Sequence, residues 1–324
     1  MERYECESND FDDYNIIKNK ITITLDIKKC DINKEIYFLD NTKDESYYEN
    51  NKNIKHYHDN LRELDKNNTR LYINNQEIDF KKFFIPKTKG IYKIKLIIFK
   101  NITNCSYMFC NCNNITNINL SQFKTESLIN MQYMFCGCEN LSEIDLCIFN
   151  TKKVINMRNL FCCCKKLSSL DLTSFRTENV TDFGYMFCGC TNLKKIDLST
   201  FKTNKLTNME FMFCGCLKLK SIDLSMFYTK HVTNLAFLCC GCEKLKNINL
   251  CSFDTKNVTN MGYLFNGCKK LSKLDISSFD MEKVSFAECM LNNGNYLSRV
   301  NVSRKAYKKI KDLIMSNTYI FIIE

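Results

Sequence analysis

Large apolar residues recur along the chain at intervals of 26 residues, in three registers that keep the same phase. The first register consists of Phe109, Phe135, Phe161, Phe187, Phe213 and Phe265, with Cys239 in its one gap. The second register begins each I-D-L-like segment, at Ile118, Ile144, Leu170, Ile196, Ile222, Ile248, Leu274 and Val300. The third register is Phe123, Phe149, Phe175, Phe201, Phe227, Phe253 and Phe279. Three registers in phase predict a repeat solenoid in which each repeat forms one coil.

One repeat, residues 138–161, shows what each coil should contain. Leu141, Ile144 and Leu146 follow L-x-x-L-x-L spacing, which is typical of a turn followed by a short strand. Val154 and Met157 are three residues apart and predict a short helix or 3₁₀ segment on the opposite wall. The apolar side chains of one coil are too few to offset the entropy lost on ordering it. We therefore expect parallel strand pairing between coils, and stability that belongs to the whole array.

The N-terminal part of the chain has a different pattern. Residues 21–27, 35–40 and 70–78 alternate between apolar and polar positions, which predicts strands. Residues 20–92 are therefore expected to form a small β-rich domain, for which a ubiquitin-like outline is one candidate. Residues 1–19 are expected to be a flexible terminus. The segment after this domain reads as a truncated first repeat, with Ile94 and Leu96 in its strand.

The C-terminal part is predicted to close the solenoid. The repeats extend over residues 93–302 and make about eight coils. Ser303 can cap a helix over residues 304–315, and residues 319–323 read as a closing strand. Residues 303–324 are therefore predicted to be a helix-strand cap, because an uncovered solenoid end would expose apolar side chains.

The repeat string V-T-N-M-x-x-M-F-x-G-C-x-x-L-x-x-I-D-L-S-x-F is clearest over residues 180–227 and 232–279. It resembles the BspA-like leucine-rich repeat proteins, and more closely the 26-residue repeat of mycoplasma surface lipoproteins and of many protist proteins. The resemblance covers about residues 94–302. It implies a leucine-rich-repeat-like solenoid whose function is interaction or adhesion, often at a cell surface, without catalysis.

Composition and charge limit which cellular compartment and which binding partners are expected. The net charge of +10 lies mostly in residues 101–324, which hold 27 Lys and Arg against 18 Asp and Glu. This excess is diffuse, so no specific nucleic acid is expected as a partner. No apolar run is long enough to predict a transmembrane segment. The first twenty residues are acidic and polar, unlike a secretory signal, so a cytoplasmic location is expected, with the cell surface as the alternative.

Cysteine is the most conspicuous candidate for site chemistry, with 21 residues in the chain. Six C-x-C pairs recur in phase, at Cys110/Cys112, Cys136/Cys138, Cys162/Cys164, Cys188/Cys190, Cys214/Cys216 and Cys240/Cys242. The favoured interpretation is a structural ladder of buried thiols. Two alternatives stay open: thiolate binding of Zn²⁺ or Cu(I), and disulfides between adjacent coils, whose Cα spacing suits them.

Two other ladders are interpreted as structural. The residue between the paired cysteines is Gly in five coils, which predicts a backbone with positive φ. The second is a line of Asn and Asp side chains, one just before the inward methionine of each coil, which should form hydrogen bonds with backbone groups at the turn. Its members are Asn130, Asn156, Asp182, Asn208, Asn234 and Asn260.

The outward residues at the strand are the best candidates for partner binding, because they line the exposed face of the sheet. We call this set the Asp/Asn ladder, and it contains Asn119, Asp145, Asp171, Asp197, Asp223, Asn249 and Asp275. Five carboxylates about 5 Å apart favour basic side chains or cations, which suggests a basic protein partner. A solvated polar face without a partner is the alternative.

A row of lysines recurs just after the second cysteine of each pair. We call it the lysine ridge, and it contains Lys165, Lys166, Lys194, Lys218, Lys220, Lys244, Lys246, Lys269 and Lys270. The favoured interpretation is a solvated ridge, and attraction of phosphate groups or anionic lipid head groups is the alternative.

No catalytic constellation emerges from the sequence. The chain has no phosphate-binding glycine loop, and His56 and His58 lie in a polar stretch that is expected to be an exposed loop. The carboxylates of the Asp/Asn ladder are too uniform to serve as an acid and a base. The sequence therefore predicts a non-enzymatic protein-interaction scaffold without a cofactor. A surface adhesin and a thiolate metal-binding protein are the alternatives.

Overall fold

A computed structural model of the protein describes residues 19–42, 61–292, 297–311 and 319–323. The interpretations of residues 1–18 and of His56 and His58 lie outside the described residues. In the described residues the strands are β1 Asn19–Ile27, β2 Ile36–Tyr37, β3 Thr69–Ile73, β4 Gln76–Ile78, β5 Phe83–Phe84, β6 Gly90–Ile98, β7 Ile115–Gln122, β8 Glu143–Asp145, β9 Ser221–Asp223, β10 Asn247–Asn249, β11 Lys273–Ile276, β12 Arg299–Ser303 and β13 Tyr319–Ile323. A 3₁₀ turn spans Lys29–Asp31, and the helix α1 spans Arg304–Ile310.

The repeats form a solenoid with the predicted 26-residue period and about seven turns. This is fewer than the eight coils predicted, because the segment with Ile94 and Leu96 pairs antiparallel with β1 and β3 instead. Parallel bridges join equivalent residues of adjacent coils, from Asn104 through Asn130 and onward in steps of 26 to Phe286. The I-D-L segments also pair in parallel, with Ile118 opposite Ile144 and Ile222 opposite Ile248. The sequence prediction of parallel coils stacked in register is confirmed.

The inside of the solenoid is filled by stacked rings. Phe109, Phe135, Phe161 and their equivalents are fully buried, and their ring centroids lie 5.4–5.9 Å apart in adjacent coils. The third register stacks in the same way, for example Phe149 on Phe175 at 6.2 Å. One hydrophobic core runs from Ile21 in β1 to Ile310 in α1. Each coil therefore buries its apolar side chains against its neighbours.

The wall opposite the strands, which we call the turn wall, differs from the sequence prediction. Within residues 101–292 no helix or 3₁₀ segment forms, and each coil instead has consecutive turns such as Cys110 N–H to Tyr107 C=O at 2.9 Å. The physical reason is left-handed backbone at two positions per coil, which a helix cannot contain. In the third coil these are Asn159 (φ 56°) and Cys163 (φ 59°).

Backbone hydrogen bonds along the turn wall connect each coil to the next. Asn159, Phe161 and Cys163 donate to carbonyls one coil further on, over 2.6–2.9 Å, and equivalent bonds recur in the other coils. The strand wall is less continuous, because no strand forms at the I-D-L segments that contain Leu170 and Ile196. The prediction of one strand in every coil is therefore wrong for these two coils, which the turn wall holds together.

The front of the solenoid is covered by a six-stranded sheet that is antiparallel except where β7 pairs with β8. β1 lies between β6 and β7, with Ile23 opposite both Ile94 and Ile118, and the sheet order is β4-β3-β6-β1-β7-β8. The segment with Ile94 and Leu96 was predicted to be a truncated repeat, but it does not join the parallel stack. The reason is that β1 occupies the edge of β7 where a preceding coil would lie. β6 also runs across residue 92, so the division of the chain at that residue stays a prediction.

The C-terminal end continues the strand wall. β11, β12 and β13 are parallel neighbours, with Leu274 opposite Val300 and Val300 opposite Ile320. The Ser303 side chain accepts a hydrogen bond from the backbone of Ala306 and caps α1, as predicted. Residues 312–318 lie outside the described residues, so the predicted extent of α1 to residue 315 is not described. None of the helices in the described ranges is long and apolar enough to span a bilayer.

Candidate functional site

All seven members of the Asp/Asn ladder lie exposed on the strand wall. Asn119 is opposite Asp145 where β7 pairs with β8, and Asp223 is opposite Asn249 where β9 pairs with β10. The C-terminal end extends the ladder by one position, since Asn301 donates to Asp275 Oδ2 over 3.0 Å. The structure thus brings the predicted residues together as one line parallel to the solenoid axis.

Each member of the ladder also has a local structural role. Its Oδ1 atom accepts the backbone N–H two residues later, over 2.9–3.3 Å, and so fixes the turn that ends each strand segment. In Asp171 the N–H and hydroxyl of Thr173 both donate to Oδ1, and they lower the pKa of this carboxyl group. The carboxylates are therefore negatively charged at neutral pH and exposed to a partner, while Asp275 Oδ2 already accepts from Asn301.

The lysine ridge lies where the strand segments begin, beside the Asp/Asn ladder. Two of its members form exposed ion pairs between adjacent coils, Lys165 with Glu139 at 2.6 Å and Lys269 with Glu243 at 2.5 Å. Exposed pairs of this kind contribute little to stability. The strand wall therefore presents parallel lines of opposite charge, basic where each strand segment begins and acidic where it ends.

The second cysteine of each C-x-C pair points into the core. The thiol of Cys190 donates to the carbonyl of Phe161 over 3.1 Å, and Cys138, Cys164, Cys216, Cys242 and Cys268 make equivalent bonds over 3.0–3.1 Å. All are fully buried, and burial raises the pKa of the Cys190 thiol. We call this set the inner thiol ladder, and its geometry is that of buried structural thiols.

The first cysteines form a separate line on the turn wall, which we call the outer thiol ladder. It consists of Cys110, Cys136, Cys162, Cys188, Cys214 and Cys240, and Asn266 follows at the next position. Backbone hydrogen bonds hold these positions in register, from the Gly189 N–H to the Cys214 carbonyl and from the Gly215 N–H to the Cys240 carbonyl, each over 2.7 Å. Cys110, Cys136 and Cys162 are buried, whereas Cys188, Cys214 and Cys240 are half-buried.

No metal centre accompanies either thiol ladder. Across residues 19–42, 61–292, 297–311 and 319–323, no group of three or more His, Cys, Asp or Glu side chains is arranged to hold a metal ion. The thiolate metal-binding alternative therefore finds no site in this part of the chain. The physical reason is that the inner thiols are each committed to a carbonyl, while the outer thiols lie in a single line.

An aromatic ladder runs beside the outer thiol ladder and was not identified from the sequence. Its rings are nearly parallel, with centroids 4.4 Å apart between Tyr185 and Phe211 and 4.2 Å apart between Phe211 and Phe237. Asn159 stands where this line of rings would have its next aromatic residue. The guanidinium group of Arg158 lies over the neighbouring ring, 4.9 Å from the centroid of Tyr185. Arg158 is also paired with Asp182 at 3.3 Å and Glu210 at 2.6 Å.

The line of Asn and Asp side chains just before the inward methionines, which is separate from the Asp/Asn ladder of the strand wall, forms hydrogen bonds with the backbone as predicted. The Oδ1 atom of Asn156 accepts the backbone N–H of Arg158 over 2.9 Å, and Asp182 accepts that of Gly184 over 2.6 Å. Equivalent bonds start from Asn104, Asn130, Asn208, Asn234 and Asn260. These amides satisfy backbone groups at the turn, so they are structural.

A buried threonine ladder was missed from the sequence altogether. The Thr177 hydroxyl accepts the backbone N–H of Lys202 over 2.8 Å and donates to its carbonyl over 2.9 Å. Thr151, Thr203, Thr229 and Thr255 make the same pair of bonds to the next coil. The signal was present, because threonine recurs every 26 residues two positions after the third-register phenylalanine.

Comparison with known proteins gives one result. A family model described as a Mycoplasma protein of unknown function, DUF285, matches residues 78–170, 142–225 and 218–317. No curated protein and no solved structure matches the chain. The three matched ranges overlap and together cover the repeats and the strands β6, β7 and β8 of the front sheet.

Proposed function

Because the chain belongs to the DUF285 family of Mycoplasma proteins of unknown function, we propose that it is a non-enzymatic repeat scaffold. In this proposal a protein partner binds the exposed strand wall through the Asp/Asn ladder. The observation that carries the proposal is the line of exposed Asp and Asn side chains, in register over seven coils. The bound surface of the partner is expected to be basic opposite this line and acidic opposite the lysine ridge.

A scaffold explains this surface better than catalysis does. An acid and a base need unlike environments, whereas Asp145, Asp197 and Asp223 have the same turn contacts and all have lowered pKa values. A regular line of similar groups suits an extended contact, in which many weak interactions add up. The resemblance to BspA-like repeat proteins supports interaction as the function as well.

We place the scaffold in the cytoplasm, with a cell-surface adhesin as the alternative that the resemblance to mycoplasma surface lipoproteins favours. The two can be separated in intact cells of the source organism. Labelling with a membrane-impermeant amine reagent before lysis should leave the protein unmodified if it is cytoplasmic. Strong labelling of the lysine ridge in unbroken cells would establish the adhesin.

Partner binding is tested with the full chain as bait and variants of the strand wall. The double variant Asp171→Lys with Asp197→Lys reverses two charges of the ladder, and Asp171→Asn with Asp197→Asn removes them while keeping the turn acceptor. A protein that binds the wild-type chain is identified and purified, and its affinity for each variant is measured. We expect weaker binding of the Asn pair and at least a tenfold loss for the Lys pair.

The matched control carries the same charge change elsewhere. Glu126 and Glu288 are exposed and lie outside the Asp/Asn ladder, so Glu126→Lys with Glu288→Lys should leave the affinity unchanged. Equal binding by the wild type and both ladder variants would refute the proposed surface. An equal loss in the control pair would show that only net charge matters.

A further inference from the structure

We propose that the outer thiol ladder is a site of oxidative modification, at which a low-molecular-weight disulfide such as oxidised glutathione joins thiols of adjacent coils. This modification is separate from partner binding on the strand wall. The pairs best placed to react are Cys188 with Cys214 and Cys214 with Cys240. The product is a covalent link between one coil and the next on the turn wall.

The geometry of the coils supports this chemistry. Cys162, Cys188, Cys214 and Cys240 occupy the same position in successive coils. The carbonyls of Cys188, Cys214 and Cys240 each accept the backbone N–H of the residue that follows the preceding ladder cysteine, over 2.6–2.7 Å, so the positions are stacked in register. Hydrogen-bonded neighbouring strands are about 4.8 Å apart, which lies inside the 4.4–6.8 Å range of Cα separations seen in disulfides. Small side-chain rotations can therefore bring two sulfur atoms to bonding distance without unstacking the coils.

Accessibility distinguishes the last three members of this ladder from the inner thiol ladder, and Cys163 and Cys289 are half-buried as well. Cys188, Cys214 and Cys240 are half-buried, whereas Cys190, Cys216 and the rest of the inner ladder are fully buried and donate to carbonyls. Cys147 and Cys251 are exposed but lie on the strand wall four coils apart, so they cannot meet within one chain. All twenty cysteines of the described residues are thiols in the structure.

The reaction proceeds by two thiol–disulfide exchanges. The thiolate of Cys214 attacks one sulfur of oxidised glutathione, the glutathione S–S bond breaks, and one glutathione thiolate leaves. The thiolate of Cys188 or Cys240 then attacks the Cys214 sulfur of this mixed disulfide and releases the second glutathione. The protein loses two electrons and two protons, and one oxidised glutathione becomes two reduced molecules.

The surroundings make the reaction slow at neutral pH. Contact with Cys188 and burial together raise the pKa of Cys214 to about 12, so little thiolate forms. Oxidation should therefore follow a sustained shift toward oxidised glutathione, and it should reverse when reduced glutathione is restored. In a reducing compartment the ladder would remain in the thiol form.

The experiment uses the reduced full-length protein, freed of reductant and incubated with oxidised glutathione at pH 8.5. Remaining thiols are alkylated, and the protein is digested with trypsin without reduction. Because Lys194 and Lys205 separate the Cys188 and Cys214 peptides, a bridge between them appears as a joined pair in mass spectrometry. We expect this pair or the Cys214–Cys240 pair, in monomeric protein with an unchanged circular dichroism spectrum.

Two variants assign the bridge, because Cys190 and Cys216 lie on the same tryptic peptides as Cys188 and Cys214. Cys214→Ser should abolish both joined pairs, whereas Cys251→Ser on the strand wall should leave both unchanged. Joined peptides that persist in Cys214→Ser would place the bridge in the inner ladder and overturn the proposal. Glutathione adducts without bridges, or links only between molecules, would overturn it as well.

Discussion

At the scale of single residues, side chains that recur once per coil form hydrogen bonds with buried backbone N–H and C=O groups. Thr177 is 1% exposed and bonds both backbone groups of Lys202 in the next coil. In Thr177→Val the shape of the side chain is kept, but a buried N–H and C=O lose their partner. We expect the free energy of unfolding to fall by about 1–3 kcal/mol, measured by urea denaturation.

Thr181→Val is the matched control for this prediction. Thr181 also donates to a neighbouring coil, to the Ile155 carbonyl over 3.3 Å, but it is exposed, so water can replace the hydroxyl. Its unfolding free energy should stay within about 0.5 kcal/mol of the wild type. Equal losses in the two variants would mean that burial of the threonine ladder is not the cause.

The Asp/Asn ladder gives a second prediction at this scale, on pH dependence. The pKa of Asp171 is lower in the folded chain than in the unfolded one, so its contribution to stability is present above about pH 4 and is lost as the pH falls further. Asp171→Asn keeps the Oδ1 acceptor and removes the titration. The urea midpoint of this variant should be slightly below the wild type at pH 7 and should converge with it below pH 4, because protonation removes the same contribution from the wild type.

Asp171→Ala serves as the comparison for this variant, since it removes the acceptor of the Thr173 N–H as well as the charge. Its urea midpoint should be lower than that of Asp171→Asn at pH 7. If the Asn and Ala variants behave alike at pH 7, the turn contact does not stabilise the strand wall.

At the scale of elements, the turn wall depends on left-handed backbone at fixed positions. Gly215 has a φ of 71°, and a Cβ added there would lie 3.6 Å from the backbone of Gly189, which is ordinary contact. The cost of a substitution is therefore conformational. Gly215→Asn should be nearly neutral, because Asn111 adopts the same backbone, while Gly215→Val should lower the unfolding free energy by about 1–2 kcal/mol.

Gly137 occupies the same position of the repeat as Gly215, and a comparison of variants at the two sites separates backbone strain from steric crowding. A Cβ at Gly137 would lie 2.2 Å from Asn111 Oδ1. Gly137→Asn should consequently lower the melting temperature more than Gly215→Asn does. Thermal unfolding of the two purified variants measures this difference. Equal melting temperatures would show that the Asn111 side chain moves aside at little cost.

The elements also show how far the sequence could predict the fold. Identical spacing of Phe161 and its equivalents was enough to predict the coils, since every coil buries the same position. The helix predicted around Met157 was wrong because period-three apolar spacing fits consecutive turns as well. The placement of β1 beside β7 joins residues about 95 positions apart. No periodic pattern marks such a contact, so the antiparallel front sheet could not be predicted.

The candidate surfaces were predictable to different degrees. The exposed position of Asp171 and its equivalents followed from strand alternation, and the structure has them outward as expected. The placement of Cys214 beside Cys188 depends on stacking in register, which the sequence did predict. Which thiols are half-buried depends on residues that pack beside the turn wall. Burial of this kind differs between coils with the same motif, so the repeat pattern does not reveal it.

At the scale of the whole molecule, stability is expected to be a sum over coils and their interfaces. Deleting residues 232–257 removes one period and joins His231 to Val258, so every ladder continues across the junction. We expect this variant to fold, with a cooperative thermal transition, a somewhat lower melting temperature, and a urea m-value reduced in proportion to the buried surface that is lost.

Deleting residues 232–244 is the control, because it removes half a period and brings strand positions of one coil against turn positions of the next. The phenylalanine registers, the threonine ladder and the outer thiol ladder are then all out of phase beyond the junction. This variant should aggregate or lose its cooperative transition, as followed by circular dichroism and size-exclusion chromatography. If both deletions fold equally well, coil registration does not hold the molecule together, and if the one-period deletion alone fails, the coils are not interchangeable units.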